Sequence, residues 1–509
     1  MLKFTPKRRL TGGVRLPAHK INSTAHSIKP CCIPPRLIVS TRQHSGPAAS
    51  PIVDVGQRVL RGERIACTES IDGADVHAPT AGRIAAIETS DVPLSVKVSQ
   101  ETCIVIDTDD ADRAVRESAI QPGATHEERL RQITTAGIVG LGGATYPTAA
   151  KIRIHPDSGS QLLIINGAEC EPYISCDDML MREAPEEIIQ GAEIVRQLVD
   201  AAKCTIAIER DKPQAIEAVT AAADRLDIDG LSIAELPSIY PAGGERQLIE
   251  VLAGVEVPSA SLPGDVGFLC QNVGTAYAVY KYFRQGEPLC SRIVTVTGSA
   301  VAEPQNVEAM IGTPIADLIA ACGGYRSRAA RLIHGGSMMG YALDNDSLPI
   351  TKATNCIIAA EPGEIHQDHR EWPCIRCSEC SVVCPVRLQP QELILAARKS
   401  NSAALAELSL SECIECGCCD VVCPSHIPLT QTFHDAMPLV RNLGQQQSLS
   451  AASDQRFQQR KQRQHDTLAA DTRRRKKIKG VLDDESQRTE RIKAAVERAR
   501  QKKTETNGS

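Results

Sequence analysis

The chain has 509 residues, which is enough for about three or four domains. Its 42% hydrophobic content is that of a globular protein, and no apolar run approaches the 18 residues or so of a membrane-spanning helix. The net charge of −5 hides an asymmetry, because residues 454–509 carry 17 Lys and Arg against 9 Asp and Glu. With aromatic residues at only 3%, stacking on nucleic-acid bases is not expected.

Residues 1–115 predict a β domain. Short β-branched runs alternate with Gly and Pro, and the stretches 53–66 and 76–84 resemble the hammerhead of lipoyl and biotinyl carriers. Such carriers present a modifiable Lys at a hairpin tip, where this chain has Ile71, Asp72, Gly73 and Ala74. We therefore expect a structural or docking domain rather than a carrier.

Residues 116–290 predict an α/β domain. The runs 162–166 and 205–209 have the continuous apolar character of buried parallel strands. The segment 185–199 has helical periodicity and begins with Pro followed by acidic residues.

Three polar or glycine-rich elements lie in this α/β segment. The first, 137–151, contains Gly140, Gly142 and Gly143 and ends in Lys151, so it fits either a phosphate-binding loop or an ordinary tight turn. The second, 166–173, follows a buried strand, where α/β folds bind ligands, but its acids also suit a solvated loop. The third, 240–246, is glycine-rich and precedes a helix.

Two further segments complete the chain around a cysteine-rich region. Residues 291–345 predict a small β-grasp domain from their order of strand, turn, strand, helix and Gly-Gly. From about 440 to 509 the chain is rich in Gln, Arg, Lys and Asp, and we expect a disordered or loosely helical tail that is flexible and basic. Its run 473–479 suits either attraction to an anionic membrane surface or simple solvation.

The cysteine-rich region, 366–435, repeats one motif twice. Residues 374–385 and 413–424 each read C-x2-C-x2-C-x3-C-P, the spacing of a bacterial two-cluster ferredoxin. Three thiolates of one run and the last of the other then share a [4Fe–4S] cluster. The first set is Cys374, Cys377, Cys380 and Cys423, and the second is Cys384, Cys413, Cys416 and Cys419.

The alternatives to two clusters fit this spacing poorly. A zinc site uses two cysteine pairs without a third step or a trailing Cys-Pro. Disulfides need an oxidising compartment, whereas the many remaining cysteines and the absence of an apolar signal region after the basic N-terminus indicate a reducing cytoplasm. If Cys418 were the ligand instead of Cys419, the two-residue gap before it and the three-residue gap after it would both be lost, so we interpret Cys418 as a non-ligand.

The order of these motifs resembles the C subunit of the Rnf (Rsx) membrane-bound electron-transport complex. The resemblance includes 12–20, 140–147, 166–178 and 240–245 together with both cysteine runs, and so covers nearly the whole chain. More distantly, the chain is similar to the flavoprotein subunit of respiratory complex I, which binds FMN and NADH. By the same resemblance, 291–345 is a soluble-ligand-binding (SLBB-like) β-grasp domain.

The resemblance implies noncovalent FMN and electron exchange with NAD(H). It places the FMN phosphate on Gly140, Gly142 and Gly143 and Lys151 near the flavin, with Asn166, Glu169, Gly243, Gly244, Glu245 and Asn272 lining the rest of the site. Two positions depart from the complex I pattern, because Ala168 replaces an Asp and Gly244 replaces a Glu, and both changes remove polar groups around the flavin and nicotinamide. No catalytic acid or base is assigned.

The resemblance also predicts the function. Electrons pass from NADH through FMN and the two clusters to partner subunits, both integral-membrane and ferredoxin-like, of an ion-translocating complex. The protein would lie on the cytoplasmic side of the inner membrane, held there by these partners. Two alternatives stay open: a soluble flavin–iron–sulfur dehydrogenase, and an electron relay without its own NADH oxidation.

Overall fold

The computed structural model describes residues 2–30, 33–109, 113–115, 125–153, 161–259, 261–365 and 369–505. Some predicted features lie outside these ranges: the domain limits at 116 and at 366, the thiols of Cys31 and Cys32, and the last four residues of the predicted tail.

The described residues form strands that we number in chain order: β1 Leu2–Phe4, β2 Lys29–Pro30, β3 Arg36–Ser40, β4 Ser50–Pro51, β5 Arg58–Val59, β6 Arg64–Cys67, β7 Val76–His77, β8 Gly82–Pro93, β9 Val98–Thr108, β10 Leu162–Gly167, β11 Cys204–Glu209, β12 Leu231–Leu236, β13 Phe268–Asn272, β14 Ser291–Thr297, β15 Gln305–Met310, β16 Arg331–His334, β17 Tyr341–Leu343 and β18 Cys356–Ala360.

The helices are numbered in the same way: α1 His126–Thr135, α2 Thr148–Arg153, α3 Cys176–Glu183, α4 Pro185–Leu198, α5 Pro213–Leu226, α6 Glu245–Ala253, α7 Val273–Gln285, α8 Ile315–Ala321, α9 Glu379–Val382, α10 Pro390–Arg398, α11 Ser402–Glu407, α12 Cys418–Val421 and α13 Leu429–Glu505. Short 3-10 helices cover Pro263–Val266 and Leu410–Glu412.

The α/β unit is built on a parallel sheet of five strands in the order β1-β12-β11-β10-β13. The apolar runs at β10 and β11 are buried, as their composition predicts. Helices α4 and α7 pack together across one face of this sheet, and α6 covers the other. The edge strand β1 comes from the start of the chain, inside the range that the sequence assigns to the β domain.

The N-terminal β domain consists of two small sheets, β3-β9-β8-β5 and β4-β6-β7, around one apolar core. The β-grasp unit is a six-stranded sheet in the order β17-β16-β18-β14-β15-β2, with α8 packed on it. Strand β18 lies between β16 and β14, so this sheet extends to residue 360, beyond the limit of 345 that the sequence suggests.

The cysteine-rich segment folds into the short helices α9 to α12 around a core that includes Leu393, Leu405 and Phe433. The last of these belongs to α13, which runs on as one helix where the sequence leaves disorder and loose helix open. No helix in the described ranges has the length and apolarity required to cross a bilayer. The four successive units confirm the predicted multidomain α+β and α/β fold class.

Candidate functional site

The two cysteine loops have the same backbone shape. In the first, Arg376 and Ser378 have φ angles of 58° and 65°, and in the second the corresponding residues Glu415 and Gly417 have φ angles of 54° and 75°. Left-handed residues alternating with the cysteines curl each loop, so that its thiols face a common centre. The repeated sequence motif therefore forms two copies of one local structure.

The first predicted set of cysteines meets at one small cavity. Cys374, Cys377 and Cys380 line it together with Cys423 of the other run, and Pro424 completes the wall. The side chains of Ile394 and Leu429 form its apolar side. This crossed arrangement brings together the four residues that the ferredoxin spacing groups.

The second set lies deeper in the protein. Cys384 and Cys416 are buried, and Cys413 and Cys419 are half-buried. Burial, and then the nearby charges of Cys416 and Cys384, raise the pKa of the Cys413 thiol to about 11. The Leu388 N–H donates to Cys384 Sγ at 3.3 Å. Burial raises the pKa of the Cys384 thiol, whereas hydrogen bonds from backbone N–H groups lower it. Such hydrogen bonds also stabilise a thiolate that binds a metal. Thiol number, grouping and N–H donors thus fit iron–sulfur ligation in both sets.

The motif spacing leaves Cys418 out of both sets, but its side chain is hydrogen-bonded to that of Cys416 in the second set. Cys418 is fully buried, and its Sγ lies 3.8 Å from the backbone carbonyl of Tyr240, in a small core with Val14 and Cys416. Its assignment as a non-ligand remains a prediction.

The glycine-rich elements of the α/β unit surround a second cavity of about 470 Å3. It lies at the carboxyl end of β10, where parallel sheets bind ligands, and extends along the whole of the edge strand β13. It has the size of a small-molecule site. Seven of the ten residues assigned to FMN line it: Gly140, Gly142, Lys151, Asn166, Gly243, Glu245 and Asn272.

The glycines of the first loop face open space. A Cβ added to Gly140 or Gly142 would approach other residues no closer than 3.5 Å, and one added to Gly143 would find nothing within 4 Å. Gly143 itself is not part of the cavity wall, but its φ of 109° shapes the turn beside it. The loop therefore leaves room for a ligand beside its backbone, as phosphate binding requires, while the Gly140 N–H donates to the Tyr146 carbonyl at 2.8 Å and braces the turn.

The polar side chains of the cavity bond to one another. Lys151 Nζ donates to the Cys270 carbonyl at 2.6 Å and pairs with Glu245 Oε1 at 2.8 Å. Asn166 Nδ2 donates to the Gly243 carbonyl at 2.9 Å, and Asn272 Oδ1 accepts the Gly274 N–H at the start of α7. These bonds fix the three loops relative to one another.

Ten residues of the cavity wall were not among those assigned from the sequence, and three of them bear on ligand binding. Gln271 is buried, and its Nε2 has no hydrogen-bond partner in the structure, so it offers a donor to a polar ligand. Tyr146 and Phe268 add aromatic surface. Tyr146 lies within 140–147, one of the stretches that carry the family resemblance, and was available from it, whereas only the fold brings Gln271 and Phe268 to the cavity.

Glu169 and Gly244 do not line the cavity. Glu169 is buried, accepts the N–H groups of Asp177 and Asp178 at the start of α3, and lies 3.8 Å from Lys20 Nζ. Its role in the structure is therefore to hold a helix start and the N-terminal segment in place. Gly244 is the residue before α6 and orients the loop that carries Glu245.

Behind the cavity, Asn272 connects it to a buried carboxyl group. Asn272 Nδ2 donates to Asp177 Oδ2 at 2.6 Å. Burial, and then the charge of Glu169, raise the pKa of Asp177 above its ordinary value. Oxygen and sulfur atoms of Glu169, Cys176 and Asp177 lie within 4.8 Å of one another, but the Arg292 guanidinium next to them supplies the compensating charge, so we assign no metal there.

One loop joins the cavity to the second cysteine set. Residues 240–245 contribute Gly243 and Glu245 to the cavity wall, and the Tyr240 hydroxyl donates to the Cys416 carbonyl at 2.8 Å. The N-terminal segment packs alongside, because Val14 pairs with Tyr240 and Gly13 N–H donates to the Val383 carbonyl at 2.8 Å. The second set is therefore in contact with the loop that forms the cavity, whereas Cys374 and Cys377 of the first set are exposed.

Comparison with known proteins assigns each unit to a family model. Residues 8–111 match the RnfC barrel sandwich hybrid domain, 133–281 the Nuo51 FMN-binding domain, 293–342 the SLBB domain and 372–427 the 4Fe-4S dicluster domain.

Whole-chain relatives are found as well. A protein of Rhodobacter capsulatus, named as the C subunit of an ion-translocating oxidoreductase complex, is 40% identical over 84% of this chain and 82% of its own length. One of the same name from Pseudomonas aeruginosa is 42% identical over 89% of this chain, which spans 58% of that relative. An NAD+-reducing [NiFe]-hydrogenase structure is similar at 20% identity and a TM-score of 0.45, covering 62% of this chain and 61% of that one.

Proposed function

Since the chain belongs to the family of C subunits of ion-translocating oxidoreductase complexes, we propose that it passes electrons between NADH, FMN, two [4Fe–4S] clusters and partner membrane subunits. The family assignment confirms the resemblance that the sequence motifs predict. The single observation that supports the path is the loop 240–245, which contacts the candidate flavin cavity at one end and the second cysteine set at the other.

The residues of the cavity have distinct proposed roles toward FMN. The phosphate lies on the loop of Gly140, Gly142 and Gly143 beside the ammonium of Lys151, because backbone N–H groups and a cation suit its charge. The Gly140 N–H already donates to the Tyr146 carbonyl at 2.8 Å, so the donors are the N–H groups of Gly142 and Gly143. Gln271 Nε2 donates to a polar atom of the flavin. When bound, FMN supplies the conversion between the two-electron chemistry of NADH and the one-electron chemistry of the clusters.

Other assigned residues support this site rather than contact the ligand. Asn166 and Asn272 use their amides to hold the loops around the cavity, and Glu169 holds the start of α3. We propose NADH binding at the open side of the cavity, beside Tyr146, whose side chain is 42% exposed.

The two thiolate sets differ in position, and this suggests their order. Cys384, Cys413, Cys416 and Cys419 lie against the loop that forms the cavity, so we place this cluster next to the flavin. Cys374 and Cys377 are exposed, and their cluster is then the one that faces a partner protein. Backbone N–H donors such as that of Leu388 tune the potentials.

We place the protein on the cytoplasmic side of the inner membrane, as a peripheral subunit held by integral-membrane and ferredoxin-like partners. The ion-translocating activity then belongs to the assembled complex, and this chain supplies its redox input. The alternative is a soluble flavin–iron–sulfur dehydrogenase. Fractionation of native membranes before and after a chaotrope wash distinguishes the two: a protein that the wash releases from the membranes is a peripheral subunit, and one found only in the soluble fraction from the start supports the alternative.

An electron relay without NADH oxidation is a second candidate function. It is favoured by Ala168 and Gly244, which lack the carboxylates of the complex I pattern at these positions. In that case another subunit delivers the electrons, and the clusters alone are active.

An anaerobic reduction experiment distinguishes these proposals. The full chain is reconstituted with iron, sulfide and FMN, NADH is added, and flavin absorbance and low-temperature EPR are recorded. Flavin bleaching together with interacting [4Fe–4S]+ signals supports electron entry from NADH. Cluster signals with dithionite but neither change with NADH support the relay and contradict NADH oxidation.

The Cys377→Ala variant tests the order of the carriers. We expect flavin reduction by NADH to persist, because this thiol lies in the outer set, while electron exit to an added acceptor is lost. Failure of flavin reduction in this variant contradicts the proposed order.

A further inference from the structure

Helix α13 projects from the rest of the protein along most of its length. Its first turns bury Phe433, Ala436 and Met437 in the core of the cysteine-rich unit. From 441 to 503 the side chains are almost all exposed, over a length of about 95 Å at 1.5 Å per residue. A long helix without packing gains little stability in water, so this surface is suited to a partner.

Six of the exposed apolar residues of this helix form a seam, whereas Leu449 and Val481 lie outside it. Phe457, Leu468, Ile478, Leu482, Ile492 and Val496 are each 48–67% exposed. Their positions all fall on one alternating spacing of three and four residues, the heptad pattern of a coiled coil. With two positions in seven, the seam is narrower than the apolar face of a helix that lies in a bilayer surface.

Both flanks of the seam are basic. Arg460, Arg474 and Arg488 lie along one side, and Lys479 and Lys493 lie along the other. Between 457 and 496 the flanking positions contain no Asp or Glu, since acids such as Asp483 and Glu490 are on the outer face of the helix. In coiled coils these flanking charges select the partner, so a fitting helix carries acidic residues there.

A second copy of this chain does not meet that requirement. In a parallel pair, Arg475 faces itself within the seam and Arg474 lies beside Lys479 of the other copy. In an antiparallel pair centred on Gly480, Arg474 of one copy lies beside Arg488 of the other. Like charges oppose both arrangements.

A bilayer is also disfavoured as the occupant. The seam contains four charged residues between its apolar ones, Lys461, Asp471, Arg475 and Glu485, and burying these charges in hydrocarbon is costly. A two-stranded coiled coil accepts single polar residues at seam positions at a cost in stability, because its seam is narrow and borders water.

We propose that the seam of α13, residues 457–496, docks an acidic helix of a partner protein as a two-stranded coiled coil. The binding helix presents apolar residues at its own seam positions and Asp or Glu at its flanks. This inference does not depend on the assignment of FMN or of the clusters.

Binding of designed peptides to the full-length chain tests this proposal. The probe is a fluorescein-labelled peptide of about six heptads with Leu at both seam positions and Glu at both flanking positions, and its counterpart carries Lys in place of Glu. Anisotropy at low salt is expected to show at least about tenfold tighter binding of the Glu peptide, and salt should reduce the difference.

Exposed residues supply matched variants that leave the folded core untouched. Ile478→Ser combined with Leu482→Ser should weaken binding of the Glu peptide by about tenfold or more. Leu449→Ser removes an equally exposed leucine outside the heptad spacing and should leave binding unchanged. Circular dichroism and iron content of each variant check that the rest of the chain is intact.

Four results overturn the proposal. Equal affinity for the Glu and Lys peptides contradicts the role of the basic flanks in choosing an acidic partner. Absence of binding of either peptide contradicts the seam as a docking site. Co-sedimentation with phosphatidylglycerol vesicles that the double variant abolishes identifies a bilayer as the occupant. A dimeric mass in light scattering that the double variant converts to a monomer identifies a second copy.

Discussion

Gly243 lies so close to the residue that follows strand β10 that a side chain does not fit. A Cβ added there would be 2.4 Å from the Ala168 carbonyl oxygen and 3.4 Å from Cys170 Sγ. Side-chain carbons do not approach closer than 3.0 Å, so the loop must move by at least about 0.6 Å to accept alanine. The Ala168 carbonyl follows β10 and cannot retreat without disturbing the sheet.

The consequence is a weaker flavin site in Gly243→Ala. The Gly243 carbonyl accepts the Asn166 amide, and the same loop carries Glu245, which pairs with Lys151. Loss or distortion of one or two such bonds costs about 1–3 kcal/mol. We therefore expect FMN affinity to fall by about tenfold or more.

Quenching of FMN fluorescence on titration with flavin-free, cluster-loaded protein measures this affinity. Gly444→Ala is the control, because an added Cβ at Gly444 in α13 meets nothing within 4 Å. The iron content of both variants should equal that of the parent chain.

A second variant separates ligand contact from misfolding. In Gly142→Ala the new Cβ comes no closer than 3.5 Å to the protein, so stability is kept, but the methyl group occupies the cavity where we place the phosphate. Parent-like FMN affinity in both Gly243→Ala and Gly142→Ala refutes the location of the flavin.

Three further predictions follow from other parts of the structure. Cys416→Ala should remove one of two [4Fe–4S] clusters, whereas Cys418→Ala should keep both; iron analysis and EPR decide, and equal losses contradict our ligand set. Lys212→Met leaves Glu209 buried without its ammonium partner at 2.6 Å, which should cost about 3–5 kcal/mol of unfolding free energy in urea; a cost below about 1 kcal/mol contradicts a buried pair. Burial raises the pKa of Glu171 from 4.5 to about 7, so the folded state keeps a proton that the unfolded chain releases. Stability contributed by this proton is present below pH 4.5 and is lost as the pH rises to 7. The Glu171→Gln variant should reduce this pH-dependent loss by up to about 1.4 kcal/mol per pH unit, as measured by urea unfolding at pH 5.5 and 8. The same loss of stability in the variant and the parent chain contradicts a raised pKa of Glu171.

Local geometry explains why the cysteine sites are predictable. The motif fixes where each thiol lies on a short loop, and the structure repeats that loop twice with left-handed residues at equivalent positions. Strand and helix segments of the α/β unit are predictable for a similar reason, since continuous apolar runs and helical periodicity are local signals.

Long-range contacts explain what the sequence leaves open. Strand β1, at the start of the chain, completes the sheet of the α/β unit. Strands β2 and β18 complete the β-grasp sheet, and both lie outside its predicted range of 291–345. Strands β1 and β2 have three and two residues and so no periodicity to detect, and their pairing depends on the free sheet edge that the fold presents. Strand β18 has five buried residues, but only the fold shows which sheet it joins.

The sequence by itself predicted the eight candidate cluster ligands and the glycine loop, because spacing and backbone freedom are properties of short segments. Only the tertiary structure decided that Gln271 and Phe268 line the cavity, that Glu169 does not, and that Tyr240 joins the cavity to Cys416. These relations connect residues far apart in the chain, and their energies exist only once the packed units bring the groups within bonding distance.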